Sequence, residues 1–354
     1  LAAPWFNRYA TPLAIVLVLF MGIGPLVAWR RVTLAGIARA ITIPLAAAVV
    51  MAIVLALTIG VAESVTAYLL FCVATFTVVA VGQEFWRGSV ARRRLVGGGY
   101  AAALGSLLAR NRRRYGGYVV HVGLVLALFG VAASSSFQTS RDLRLSPGDQ
   151  AQVGDYTITY ERPTSNIDVD EQKLAFGAVL DVSRDGRHVT TLSPSREYYS
   201  GVAADPNAPL QSFFEGEATS EVGRAEGFSR DLWSAMQPDL SSLERVITEQ
   251  DERYADAVSK LSGAEQADPQ VQAVIAQAQG QMVRRLADRY VDDPPPAEIR
   301  FNVNPFVVWF WLGVIVAVGG ALFAIWPTPE GRRRRVSDVY GARLARELGG
   351  APGR

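Results

Sequence analysis

His121 stands inside an apolar, membrane-length run and directly follows a block of arginines. The stretch reads Asn111-Arg112-Arg113-Arg114-Tyr115-Gly116-Gly117-Tyr118-Val119-Val120-His121 and stays apolar to Gly130. An ionisable side chain in hydrocarbon costs about a few kcal/mol, so by default it marks a functional position. Imidazole is a common ligand for metal ions and for haem iron. The alternative is a histidine hydrogen-bonded between packed helices. The second histidine, His188, follows Arg187 with no Cys, His or carboxylate at ligand spacing and reads as a solvated strand residue. Cys72 is the single cysteine and lies in mid-run, which rules out an internal disulfide or CxxC pair and fits a small apolar packing residue.

Membrane helices are the elements that must position His121. Half of the 354 residues are hydrophobic and mean hydropathy is +0.17, yet 19% are charged, so the charges are segregated along the chain. Crossing a bilayer takes about 20 apolar residues. Runs of that kind lie at 12–29, 41–61, 65–85, 118–137 and 303–326, which predicts a polytopic α-helical membrane protein with about five spans. Arg30, Arg31 and Arg39 separate the first two spans. Arg87, Arg92, Arg93, Arg94, Arg110, Arg112, Arg113 and Arg114 separate the third and fourth, and Arg332, Arg333, Arg334 and Arg335 follow the fifth. The positive-inside rule makes all three clusters cytoplasmic. The N-terminus and residues 138–302 then lie outside, and 327–354 form a basic cytoplasmic tail. The turn at Ala62, Glu63 and Ser64 is external as well. Trp309 and Trp311 at one end of the spans, with Trp29, Trp86 and Trp326 at the other, fit an interfacial aromatic belt. The arginines flank spans and carry no aromatic-interleaved basic surface, so a nucleic-acid partner is excluded, and the net charge of +2 says little more. The start at Leu1 reads like the end of an external loop, and the chain is expected to be the C-terminal portion of a longer protein.

The 138–302 segment predicts a small external β-domain. Val153, Tyr156, Ile158 and Tyr160 surround a Gly154-Asp155 turn. Residues 175–182 and 188–192 flank Asp185-Gly186, a strong two-residue hairpin signal. Residues 218–233 and 299–302 supply further strands. An insertion at about 240–293 has a different period. Leu240, Leu243, Ile247, Tyr254, Val258 and Leu261 recur at helical spacing, as do Val271, Val274, Ile275, Met282, Leu286 and Tyr290 beyond Asp268-Pro269. That is an amphipathic helical hairpin, either packed on the β-domain or presented to a partner.

The run from Arg112 to Gly123 resembles the signature of the CcmF cytochrome c-type biogenesis family, subunits of a bacterial haem lyase. The likeness is carried further by Phe6-Asn7-Arg8 with Met21-Gly22-Ile23-Gly24-Pro25-Leu26, and by Leu192-Ser193-Pro194-Ser195-Arg196-Glu197-Tyr198-Tyr199. Glu221-Val222 with Arg230-Asp231-Leu232, and Asn304-Pro305-Phe306-Val307-Val308-Trp309 before Trp311-Leu312-Gly313, extend it. The resemblance implies that His121 is an axial ligand to a haem b. That haem passes electrons, from quinol, toward the iron of the haem being attached, while apocytochrome CxxCH cysteines add to its vinyl groups. Gly116, Gly117 and Gly123 then remove bulk where a porphyrin or a close-packed helix approaches, and Arg114 is a candidate propionate partner. The implied location is the bacterial plasma membrane, with a haem chaperone and apocytochrome-delivery subunits as partners.

The departures matter as much. The family's tryptophan-rich external motif, its two external histidines and its second membrane histidine belong to an N-terminal half that is absent here. The second axial ligand is therefore expected from that half or from another subunit, and this chain alone is expected to be catalytically incomplete. Two other classes stay open: a non-catalytic membrane scaffold that docks partners on the hairpin, and a haem transporter. Against transport, the spans offer few polar residues beyond His121.

Overall fold

The computed structural model describes residues 3–27, 33–58, 64–168, 172–200, 205–326 and 340, without the side chains of 3–7 and 96. Trp29, Arg30, Arg31, Ala62, Glu63, the 332–335 arginines and the side chains of Phe6 and Asn7 lie outside what is described. The chain divides into two units: residues up to Ser136 together with those from Phe306 onward, and Phe137–Pro305 between them.

The first unit opens with α1 (Ala3–Leu26), α2 (Leu34–Thr58), α3 (Val65–Val96), α4 (Tyr100–Arg110) and α5 (Arg112–Ser136). All but α4 contain a stretch long and apolar enough to cross a membrane. Their outward apolar side chains have no protein cover; Leu57 is 81% exposed. That is the surface expected where lipid is the solvent. Helix α3 is the hub, packed by α1, α2, α4 and α5. Gly22 lets α1 lie against it, since a Cβ there would come within 2.7 Å of Thr77 Oγ1. The buried Thr77 hydroxyl donates to the Val18 carbonyl at 2.8 Å.

Two features differ from the sequence expectation. Helix α3 runs past the apolar run at Phe85 to Val96, because arginine is a good helix former and Gly97, at φ 74°, ends it. The basic connection then forms α4, which buries Ala103 and Leu107. Tyr100 stacks on Trp86 at 5.3 Å and lies under the Arg93 guanidinium.

The second unit contains two antiparallel sheets. Its strands are β1 (Thr139–Leu145), β2 (Gln150–Val153), β3 (Tyr156–Asp168), β4 (Lys173–Arg184), β5 (Arg187–Leu192), β6 (Ser195–Tyr199), β7 (Thr219–Glu221), β8 (Gly223–Ala225), β9 (Arg230–Pro238) and β10 (Ala297–Pro305). One sheet has the order β1-β10-β9-β8. The other runs β2-β3-β4-β6-β7, with β5 also paired to β4. The two expected turns are present: Gly154 joins β2 to β3, and Asp185-Gly186, at φ 51° and 73°, joins β4 to β5. The chain changes sheet at Val222, pairing with β6 before it and with β9 after it. Between the sheets Ile158, Tyr160, Leu180, Val182, Ile299 and Phe301 are fully buried and form one core.

The insertion folds as α6 (Ser241–Ser259), a short α7 (Gly263–Gln266) and α8 (Pro269–Asp292), with Asp268 capping α8 and Pro269 in its first turn. Leu243, Ile247, Leu286 and Tyr290 join Leu174 and Phe176 of β4 in a second core. These two β4 residues share a strand face with Ala178, Leu180 and Val182, so the hairpin continues the cover that the four-stranded sheet begins. Packing on the β-unit is thus the outcome for its inner half. Val274, farther out, is 64% exposed.

Helix α9 (Val307–Ile325) returns the chain to the first unit and packs along α5. Small residues set that seam. A Cβ on Gly116 would meet Gly320 O at 2.8 Å, and one on Gly123 would meet Gly313 O at 2.6 Å. A Cβ on Gly130 would meet Phe310 N at 2.5 Å. The three glycines recur every seventh residue on α5, as Gly313 and Gly320 do on α9. Close backbone approach of this kind replaces the hydrophobic effect as the source of association in lipid.

Candidate functional site

Helix α5 presents three faces. Gly116, Gly123 and Gly130 face α9. Tyr115, Tyr118 and Phe129 face α3, in ring contact with Phe85 and Phe71 at 4.9–6.2 Å. His121 lies about 60° around the helix from Tyr118, at the border of the α3 face. At about 100° per residue it sits roughly 160° around the helix from Gly123, away from the α9 seam.

The imidazole is partly buried, and its Nδ1 is buried with no hydrogen-bond partner among the described residues. A buried polar nitrogen without a partner is rare in a finished core and calls for an explanation. The neighbouring surface adds to it. Gly117 lies one turn before His121 on the same face, and a Cβ there would meet nothing within 4 Å. Helical side chains lean toward the N-terminus, so the face beside His121 is the one Gly117 leaves bare. The paired glycines therefore do different things. Gly116 and Gly123 admit a helix, the second of the two options their sequence left open, whereas Gly117 leaves free space beside an unsatisfied imidazole. A neutral imidazole can donate a lone pair to a metal, and Gly117 leaves open space one turn before it.

Arg114 lies two turns before His121. Its Nη2 is 2.8 Å from Glu84 Oε2 on α3, and its Nε donates to the Tyr118 hydroxyl at 2.8 Å. Glu84 also lies 3.7 Å from Arg87. A propionate at Arg114 would have to share a guanidinium that Glu84 already engages. Glu84 is the residue that sequence reasoning missed, and the spans do carry an acid. The signal was present: a carboxylate inside the third apolar run, three residues before Arg87. Tyr115 packs where Gly88 provides the room for its hydroxyl.

In the second unit His188 is 59% exposed and its Nδ1 is 2.5 Å from Asp181 Oδ1 across the β4–β5 pair. A carboxylate does neighbour it, brought there by strand pairing rather than by sequence spacing. Among the described residues no group of three or more His, Cys, Asp or Glu could hold a metal ion. Cys72 is partly buried and free.

No family model matches the chain. A cytochrome c-type biogenesis protein CcmF of Pseudomonas aeruginosa is 24% identical over 98% of this chain and 40% of its own length. CcmF of Escherichia coli is 25% identical over 68% of the chain and 32% of its length. A solved structure titled cytochrome c heme lyase CcmF superposes with a TM-score of 0.56 at 20% identity, covering 92% of this chain and 41% of that one, and so shares the fold. The chain spans 40% or less of the curated relatives named here. It is a multi-pass membrane protein related to the CcmF cytochrome c-type biogenesis proteins, matching a portion of them.

Proposed function

We propose that this chain is the C-terminal part of a CcmF-type haem lyase subunit in which His121 would hold a b-type haem, together with a second ligand from outside the chain. The observation that carries the reading is the partly buried imidazole of His121, which has open space one turn before it at Gly117 and whose enclosed Nδ1 leaves Nε2 as the nitrogen for a metal. His121 would hold the haem iron through a ring nitrogen, and Gly117 leaves open space one turn before it. Gly116 and Gly123 hold α9 against the far side of α5, which fixes the helix that carries the ligand. Arg114, already paired with Glu84, is the cation that would meet a propionate. Such a haem supplies a one-electron redox centre, which in cytochrome c maturation keeps the iron of the incoming haem reduced while CxxCH thiols add to the vinyl groups.

The partners that go with this reading are the N-terminal half of the protein or another subunit, a haem chaperone, apocytochrome-delivery subunits and a quinol. The membrane is the bacterial plasma membrane, with the β-unit outside and the C-terminal tail in the cytoplasm. The domain division that follows is 1–137 and 303–326 in the membrane, 138–302 outside, and 327–354 as tail.

The test is spectroscopic. Full-length protein purified together with its upstream region should carry a b-type Soret band that His121→Ala abolishes while expression and membrane insertion persist. An unchanged spectrum removes His121 as a ligand and leaves the scaffold reading ahead. Deleting the 240–293 hairpin is a poor test of that alternative, because Leu243, Ile247, Leu286 and Tyr290 are part of the β-unit's core.

A further inference from the structure

Both apolar helices that flank the β-unit in sequence attach to one end of its four-stranded sheet. Only Phe137 and Gln138 separate α5 from β1, and Phe306 alone separates β10 from α9. With a reach of about 3.6 Å per residue at most, that end of the sheet stays within roughly 10 Å of both helices. Pro305, the last residue of β10, pairs with Arg230, the first of β9. The turn between β8 and β9, Glu226-Gly227-Phe228-Ser229, therefore runs past the level at which the chain leaves for the membrane. Other turns meet it there. Asp155, between β2 and β3, lies 2.9 Å from Arg230 and 3.0 Å from Arg184 at the end of β4.

Turns favour small and polar residues, each for a conformational reason. This one carries an aromatic ring. Phe228 is 66% exposed and, among the described residues of the β-unit, is the only aromatic so open. The turn that presents it is well defined. The Gly227 amide donates to Asp231 Oδ1 at 2.9 Å, and a Cβ on Gly227 would collide with the Arg230 carbonyl oxygen. A single apolar side chain on a soluble surface calls for no explanation. At the end of a sheet that two membrane helices hold beside lipid, a projecting ring has one, because aromatic side chains concentrate where water gives way to hydrocarbon.

We infer that Phe228 seats in the interfacial zone of the bilayer, giving the β-unit a lipid contact of its own in addition to the two helices that carry it. Seating removes the apolar surface of the ring from water, which is the driving force. An apolar contact of this kind is insensitive to salt, unlike an attachment of Arg184 or Arg230 to anionic headgroups. It is independent of His121 and of any haem.

The full chain, with Cys72→Ala to remove its own thiol, is placed in phosphatidylcholine nanodiscs and labelled with a fluorophore at Ser229→Cys. A second protein is labelled at Val274→Cys on the outer half of the helical hairpin, where the side chain is open. Lipid carrying a nitroxide near its headgroup should quench the label at 229 at least about twofold more than the label at 274, and aqueous iodide should do the reverse. Adding Phe228→Ser to the 229-labelled protein should remove most of the lipid quenching and expose the label to iodide. These substitutions lie at exposed positions of a turn and a helix, so the β-unit keeps its fold. A label at 229 as open to iodide as the one at 274 would place the turn in water. Protection from both quenchers would mean that protein covers it, and lipid quenching unchanged by Phe228→Ser would remove the ring as the anchor. Each of these three results would overturn the assignment.

Discussion

The Arg114 guanidinium lies 2.8 Å from the Glu84 carboxylate and ties α5 to α3 near the arginine end of the spans. Glu84 is the more enclosed partner, its side chain 13% exposed against 56% for Arg114. With one partner half in solvent, the pair contributes about 1 kcal/mol rather than the several that a fully buried pair can reach. A double-mutant cycle of Glu84→Gln and Arg114→Met, read from thermal unfolding in detergent, should give a coupling energy of about that size. Zero coupling would mean that the two charges are held apart by lipid headgroups or water.

The α5–α9 seam makes a sharper contrast between two glycines six residues apart. Gly123→Leu should cost about 1–3 kcal/mol by overpacking against α9, detected as a lower unfolding temperature and faster proteolysis. At Gly117 a Cβ meets nothing within 4 Å, so Gly117→Leu should change stability by less than about 0.5 kcal/mol. If the bare face beside His121 receives a porphyrin, the same Gly117→Leu protein loses its Soret absorbance. Stability lost in both variants would show that Gly117 is a packing glycine too.

Asp251 of α6 is buried, and its two oxygens accept the Leu210 and Gln211 amides at 3.0 and 2.8 Å. Burial pushes its carboxyl above the ordinary range, opposed by those two amide bonds. The folded state therefore holds its proton to higher pH than the unfolded state does. In the interval from the ordinary carboxylate value up to the raised one, Asp251's contribution falls as pH rises. Asp155 behaves in the opposite sense. The Arg230 guanidinium, with Arg184 behind it, holds its carboxyl below the ordinary range, so its contribution is present above that range and is lost as pH falls through the lowered value. Hydrogen exchange separates the two. Asp251→Asn should speed exchange at Leu210 and Gln211 by about tenfold, since an amide offers one acceptor where the carboxylate offered two. It should also remove the local decline with rising pH. Unchanged protection would mean that the segment is held by its neighbours alone.

Much of this architecture was legible from periodicity. The five apolar runs, the Asp185-Gly186 hairpin and the helical spacing of Leu243, Ile247, Leu286 and Tyr290 are local patterns, and each leads to the element it suggests. What the chain alone did not reveal depends on register between distant segments. Nothing near Gly116 or Gly117 tells which of them faces α9, because the answer lies in Gly320, about two hundred residues later. Glu84 looked like the polar end of a span until α5 brought Arg114 to it. Asp181 neighbours His188 only through the β4–β5 pairing. Helix α4 was missed for a local reason: eleven residues interrupted by Gly105 give too short a pattern to separate from a basic connection.

The pairing of Thr139 with Val303 has a consequence for how the protein assembles. Strand β1 begins three residues after α5 ends, and β10 finishes two residues before α9 begins. Once those strands zip together, the feet of the two glycine-lined helices are tethered side by side. Their meeting in the bilayer is then a short search rather than an encounter across a long loop, and the entropy of that closure has already been spent. Lesions in β1 or β10 should accordingly appear as slow or incomplete insertion of the last helix.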